Sequence, residues 1–302
     1  MNRRTRADLA LAAVTVVWGT TFVVVKSVLV DISPILFLTL RFCLAALVLG
    51  AIYHGAFSGK RFGIGRLGPG LLAGSLLFAA YVFQTLGLQL TTPSRSAFLT
   101  GLSIPMVPLL SSLVYTDRPR LREVAGILIA SFGMVLMTLP SASSAFGMGR
   151  GDFLSFLCAV TFALHIVVTG HYAPVIGFEP LAVVQLGTAA ALSLLVVWFA
   201  EPIRFHASPV VAGAVLLTGL MATALAFTTQ AWAQQYTSAS RAALIFALEP
   251  VVAWATSWLS TGETMAGRGV AGAGLILSGI LLVELKRTKP ERHQRKGAAS
   301  LI

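Results

Sequence analysis

Residues 34 to 139 recur about 146 positions further along the chain, and a unit with an odd number of membrane crossings cannot be repeated without its second copy being turned over. Pro34 returns as Pro180, Gln84 as Gln230, Ser94-Arg95 as Ser240-Arg241, Gly126 as Gly272 and Gly133 as Gly279. Ahead of Pro34 the offset is 144, and Asp8 returns as Asp152. With five crossings in each unit, the pattern predicts an inverted-topology repeat. Many secondary transporters are built this way, around a site between the two halves.

Composition points to a membrane independently. Hydrophobic residues make up 56% of the chain and charged ones 11%, and the mean hydropathy is +0.84, which no ordinary soluble domain matches. Apolar runs of spanning length, set between charged or turn-forming breaks, predict helices at about 9–30, 34–53, 68–90, 95–115 and 122–139. A second set follows at about 152–172, 180–200, 210–232, 240–259 and 268–285. The runs are continuously apolar, which excludes the alternating strands of a spanning barrel. Lys and Arg collect in alternate loops, as they do on a cytoplasmic face. With the N-terminus inside, 16 of the 22 basic residues fall on the inner side: Arg3, Arg4, Arg6, Lys60, Arg61, Arg66, Arg118, Arg120, Arg122, Arg241 and six between Lys286 and Lys296. Only Arg95, Arg150, Arg204 and Arg268 fall outside, while Lys26 and Arg41 lie within helices.

The expected fold is therefore an all-α membrane protein with ten transmembrane helices in two inverted five-helix repeats and both termini cytoplasmic. The units run over 8–139 and 152–285, and a basic cytoplasmic tail occupies 286–302. The net charge of +11 reads as a topology signal facing anionic lipid rather than a nucleic-acid surface. Arg3, Arg4 and Arg6 ahead of an apolar run look like the start of a signal peptide. No small-residue cleavage site follows, so the first helix is expected to stay. Cys43 and Cys158 fall within helices and belong to no metal spacing or disulfide framework.

Tyr81, Gln84, Thr85 and Leu88 share one face of the third helix, and Phe227, Gln230, Ala231 and Gln234 repeat that face on the eighth. A buried amide without a partner is costly. Gln84 and Gln230 should therefore either bond between helices or line a cavity, where aromatics beside amides form a slot for an amphipathic small molecule. Trp18 and Trp232 can join that slot or belong to the interfacial aromatic belt. Pro105 and Pro108 interrupt the fourth helix and Pro250 the ninth. Paired interruptions of this kind point to a transport pathway, with simple kinks as the alternative.

Lys26, Arg41 and Glu249 place charge inside apolar spans. Lys26 is near enough to a helix end to snorkel, and Arg41 sits about two turns in. Glu249 is roughly central and should be protonated, cap the Pro250 kink, or pair with Lys26 or Arg41, with proton coupling as a further role. His165 in the sixth helix can titrate near neutral pH or be a plain hydrogen-bonded histidine. Gly126, Gly133, Gly272 and Gly279 mark the fifth and tenth helices as packing elements, at a scaffold or a homodimer interface. No nucleophile elbow, phosphate loop, HExxH motif or catalytic carboxylate pair is found, so neither enzymatic activity nor a metal or cofactor is expected.

Trp18-Gly19-Thr20-Thr21-Phe22 followed by Lys26, then Pro34, Arg41-Phe42, Thr92-Pro93-Ser94-Arg95-Ser96-Ala97 and Leu248-Glu249-Pro250-Val251, resembles the EamA family of the drug/metabolite transporter superfamily. The resemblance covers about residues 8 to 284. It implies ten helices in two inverted units, the bacterial inner membrane, and export of amino acids or other small metabolites. It leaves the substrate open among amino acids, sugars, nucleotide derivatives and drugs. Lys26 and Glu249-Pro250 stand at family-typical positions, and Ser103 faces Glu249 in the repeat, so the halves are not interchangeable. The expected function is a secondary carrier that exports a small-molecule substrate, amino acids first, by rocking of two units in the lipid bilayer. Multidrug efflux is the runner-up, and a non-transporting scaffold or receptor the third reading.

Overall fold

The computed structural model describes residues 1–57, 67–115, 119–138, 149–262 and 267–284. Lys60, Arg61, Arg66, Arg118 and the expected tail 286–302 lie outside the described residues. Among the described residues the chain forms ten helical rods: α1 (Arg3–Val28), α2 (Pro34–Ile52), α3 (Leu67–Leu90), α4 (Pro93–Tyr115), α5 (Leu121–Thr138), α6 (Arg150–Ile176), α7 (Phe178–Ala200), α8 (Pro209–Ala233), α9 (Ala239–Thr261) and α10 (Gly267–Glu284). Eight are long and apolar enough to cross a membrane, all but α5 and α10.

Local chemistry fixes where the rods begin. The side chains of Asn2, Thr92, Ser208 and Ser238 accept bonds from the backbone N–H groups of Thr5, Arg95, Val211 and Arg241, occupying donors that a helix start leaves open. Pro34, Pro93 and Pro209 occupy first-turn positions, where the missing N–H costs nothing. Gly262, at φ 71°, ends α9 in a left-handed conformation, which glycine adopts without a Cβ penalty. Two rods extend past their expected ends: α1 starts at Arg3 and α6 continues to Ile176.

Two rods are broken, at positions other than the prolines. In α4 the segments Pro93–Gly101 and Ser103–Tyr115 meet at Leu102. In α9, Ala239–Phe246 and Leu248–Thr261 meet at Ala247. Pro105 and Pro250 are each the third residue after the break, in a first turn whose N–H groups have no helical partner. They follow the interruptions, and Pro108 lies within the second segment. A third irregularity had no counterpart in the sequence reading: Leu220–Leu225 of α8 is a π-helix, a form that occurs mostly as single-turn bulges at functional sites.

Helices pack mainly across the two halves of the chain, with α1 on α8 and α9, α2 on α7 and α8, α3 on α6 and α7, α4 on α6, and α5 on α10. Lipid supplies no hydrophobic drive between helices, so close approach depends on small residues. A Cβ on Gly126 would stand 2.7 Å from the Gly279 carbonyl, and one on Gly279 would stand 2.5 Å from that of Gly126. Gly133 and Gly272 meet each other's carbonyls in the same way. The contacts run in opposite sequence directions, so α5 and α10 are antiparallel neighbours within one chain. Gly87 and Gly151 repeat the device between α3 and α6, each Cβ falling 2.9 Å from the other's carbonyl.

Gly272 and Gly274 share a helix but not a neighbourhood, since nothing lies within 4 Å of a Cβ at Gly274. Gly272→Ala should lower thermal stability in detergent, by about 1–3 kcal/mol for an overpacked contact. Gly274→Ala should be neutral or stabilising by up to about 1 kcal/mol, through helix propensity alone. Equal effects would remove the close-packing account.

Candidate functional site

Helices α1, α2, α3, α4, α6, α8 and α9 surround a central cavity with about 650 Å³ of empty space, its open mouth included, within the size range of small-molecule sites. Trp18, Thr21, Phe22 and Val25 line it from α1, Arg41 from α2, and Tyr81, Gln84, Thr85 and Leu88 from α3. The rest of the wall is Thr100 and Ser103 from α4, Phe162 and Ile166 from α6, Gln230 from α8, and Phe246 and Glu249 from α9.

Arg41 is 2% exposed and is held by neutral groups. Its Nε donates to the Thr223 hydroxyl, and its Nη2 donates to the Tyr81 hydroxyl at 2.8 Å and to the Ala222 carbonyl at 3.3 Å. The guanidinium also lies 4.2 Å from the centre of the Tyr81 ring, where the ring's negative face attracts a cation. The π-helix explains the acceptors. Widening the turn releases the Ala222 carbonyl, which takes the Trp18 indole N–H at 2.8 Å as well as Arg41, while Thr223 Oγ1 bonds back to the Thr218 carbonyl at 2.8 Å. Among the described residues Arg41 has no carboxylate partner.

Glu249 is the second residue after the α9 break, at the positive end of a fourteen-residue half-helix, which favours a carboxylate. It faces the cavity and makes no hydrogen bond or ion pair among the described residues, so it pairs with neither Lys26 nor Arg41. Gln84 also faces the cavity without a hydrogen bond among the described residues. Gln230 donates to Gln234 at 3.1 Å and leaves its buried Oε1 without a partner. The apolar wall is aromatic: Tyr81 makes edge contacts with Phe42, Phe162 and Phe227, and Trp18 packs on Phe227 and Phe246.

The structure thus brings Trp18, Tyr81, Gln84, Thr85, Gln230, Arg41 and Glu249 together and leaves other candidates outside. Lys26 Nζ donates to the carbonyls of Leu88, Gln89 and Thr91, each at 2.9 Å, and so caps the C-terminal end of α3. His165 is fully buried and meets Gln185 Oε1 at 2.9 Å. Phe227 stands behind the cavity wall, packed on Trp18, Tyr81 and His165. Trp232 packs on Tyr236 at the end of α8, as an interfacial aromatic would. Thr100, Phe162 and Phe246 line the cavity without having been singled out, and Phe22 was noted only within a motif, because an aromatic or threonine in an apolar run carries no signal of its own.

A model of the EamA-like transporter family matches the chain twice, over residues 5–139 and 149–285. The chain belongs to the EamA-like transporter family. An uncharacterized transporter of Archaeoglobus fulgidus is 34% identical over 94% of this chain and 87% of its own length. The uncharacterized transporter YoaV of Bacillus subtilis is 23% identical over 91% of this chain and 95% of its own. A solved crystal structure shares the fold at a TM-score of 0.73, with 23% identity over 93% of this chain and 97% of that one. The protein is a multi-pass membrane transporter.

Gln84 contributes no hydrogen bond to the described fold, so Gln84→Ala should change thermal stability by no more than about 0.5 kcal/mol and lower substrate transport several-fold. Arg41→Ala orphans the acceptors it serves and should cost at least about 2 kcal/mol. A Gln84 variant with wild-type uptake in reconstituted vesicles would take that residue out of the site.

Proposed function

We propose that the protein is a secondary carrier of the bacterial inner membrane that exports small amphipathic metabolites, amino acids first among them. It works by alternating access between two inverted five-helix units, 8–139 and 152–285, with both termini in the cytoplasm. The observation that carries the substrate class is a pair of opposite charges facing one aromatic-walled cavity, each without an oppositely charged partner among the described residues. A free amino acid has the complementary form, with a carboxylate for the Arg41 guanidinium, an ammonium for Glu249, and an apolar side chain for Trp18, Phe162 and Phe246. Gln84 and Gln230 add amide groups that pair with the polar atoms of a ligand.

Reciprocal contacts support the inverted arrangement. Gly126 meets Gly279 while Gly133, the repeat equivalent of Gly279, meets Gly272, the equivalent of Gly126. Exchange of partners in this way is the mark of two units related by a two-fold axis. The placement of basic residues supports cytoplasmic termini.

Multidrug efflux is the second reading, favoured by the aromatic walls beside Glu249, which suit a lipophilic cation. Arg41 opposes it, since a buried guanidinium in the same cavity repels such a ligand.

Reconstituted vesicles loaded with a panel of labelled amino acids and cationic dyes separate the two. Amino-acid exchange that competes with unlabelled amino acid is the expected outcome, and dye transport without amino-acid transport would replace the first reading by the second. In the same vesicles Glu249→Gln should weaken amino-acid exchange, because it removes the counter-charge of the ammonium, and should lose accumulation driven by a pH difference. Undiminished pH-driven accumulation would rule out proton coupling at this residue.

A further inference from the structure

Among the described residues two ion pairs join the halves of the chain, and neither lines the cavity. Arg241 Nη2 lies 2.9 Å from Asp8 Oδ2, both side chains being less than a tenth exposed, and Arg95 Nη2 lies 2.6 Å from Asp152 Oδ2. Asp8 and Asp152 are repeat equivalents, and so are Arg95 and Arg241. The acid of each half therefore meets the base of the other: α1 is tied to α9, and α6 to α4, by the same chemistry.

The pairs stand at opposite ends of the bundle. Lys26, near the far end of α1, bonds to the turn between α3 and α4, and the hydroxyl of Thr91 in that turn reaches Asp152 Oδ1 at 3.5 Å. The Arg95–Asp152 pair therefore lies at the Lys26 end. Asp8 precedes Lys26 by eighteen residues, which is about 27 Å of helix and close to the thickness of a hydrocarbon core. Trp18, Thr21 and Phe22 of the cavity wall fall between the two pairs. The ends also differ in wetness, since Arg95 is 47% exposed and Arg241 is 9% exposed.

Opening the cavity toward the Asp8 end must part α1 from α9, and opening it toward the Asp152 end must part α6 from α4. A buried ion pair is an indifferent source of stability compared with apolar packing, but it is well suited to a contact that has to be made and broken, because hydration offsets the loss when an end opens. We propose that Asp8–Arg241 and Asp152–Arg95 are the two gates of the transport cycle, broken in turn. The proposal rests on the carrier reading and adds to it the residues that hold each end shut.

The test is the sidedness of access to the cavity. In a variant lacking Cys43 and Cys158, a single cysteine at Thr85 is exposed to a membrane-impermeant thiol reagent from each face in turn. Asp8→Asn should raise labelling several-fold from the Asp8 face and lower it from the other, and Asp152→Asn should do the reverse. The exchanged pair Asp8→Arg with Arg241→Asp should return the parent pattern. Arg241→Lys and Arg95→Lys keep the charge but lose the planar donor set; they carry the same opposed expectation in milder form should an Asn variant fail to fold. Shifts in the same direction at both pairs, or unchanged labelling with normal amounts of folded protein, would overturn the proposal. Failure of the unsubstituted protein to transport any substrate would tell against the carrier reading instead, and the labelling pattern is read independently of it.

Discussion

A backbone carbonyl at membrane depth needs a hydrogen-bond donor, because hydrocarbon offers none. That constraint decides what most of the polar side chains in this protein do. Where α3 ends, Lys26 supplies its ammonium to three carbonyls. Where α8 widens into a π-turn, Trp18 and Arg41 supply an indole and a guanidinium N–H to Ala222. Lys26 is used up by this duty. Arg41 is not, because its bonds go to neutral oxygens and its positive charge has no counter-ion among the described residues. A structural demand thus leaves a cation without a counter-ion among the described residues on the wall of the cavity, which is also lined by a carboxylate whose own position follows from the break in α9.

The cavity exists because helices of one half pack on helices of the other. Close contacts such as Gly126 with Gly279 and Gly87 with Gly151 need bare backbone on both sides, and the two ion pairs fasten the ends. Removing one partner of a buried pair such as Asp8–Arg241 typically costs about 3–5 kcal/mol, whereas Arg95 is 47% exposed and its pair is already partly hydrated.

The helical rods and their approximate ends were legible because each is a long apolar run bounded by a cap or a proline, as at Thr92-Pro93 and Ser208-Pro209. The face of α3 that carries Tyr81, Gln84 and Thr85 was legible because amides in an apolar span repeat in register. The breaks were misplaced by about a turn. Pro105 and Pro250 draw the eye, but a proline is most easily accommodated just after an interruption, so it marks the start of the second segment. The π-turn left no trace in Leu220–Leu225, whose residues are ordinary for a helix. For His165 and Trp232 the residue type left two roles open, and the contact with Gln185 and the packing on Tyr236 fit a hydrogen-bonded histidine and an interfacial aromatic. Asp8, Asp152, Arg95 and Arg241 were visible as repeats, yet Arg95 and Arg241 read as loop cations, because pairing between two halves requires the halves to be folded together.

If the two halves are related by inversion, equivalent positions face opposite sides of the membrane. Positions 60 and 206 are equivalent in the 146-residue register. Single cysteines at these two positions, in a variant lacking Cys43 and Cys158, can be labelled in intact cells and in inverted vesicles with an impermeant reagent. With inverted halves, position 60 should react only from the cytoplasmic face and position 206 only from the outside. Reaction of both from the same face would contradict the inversion.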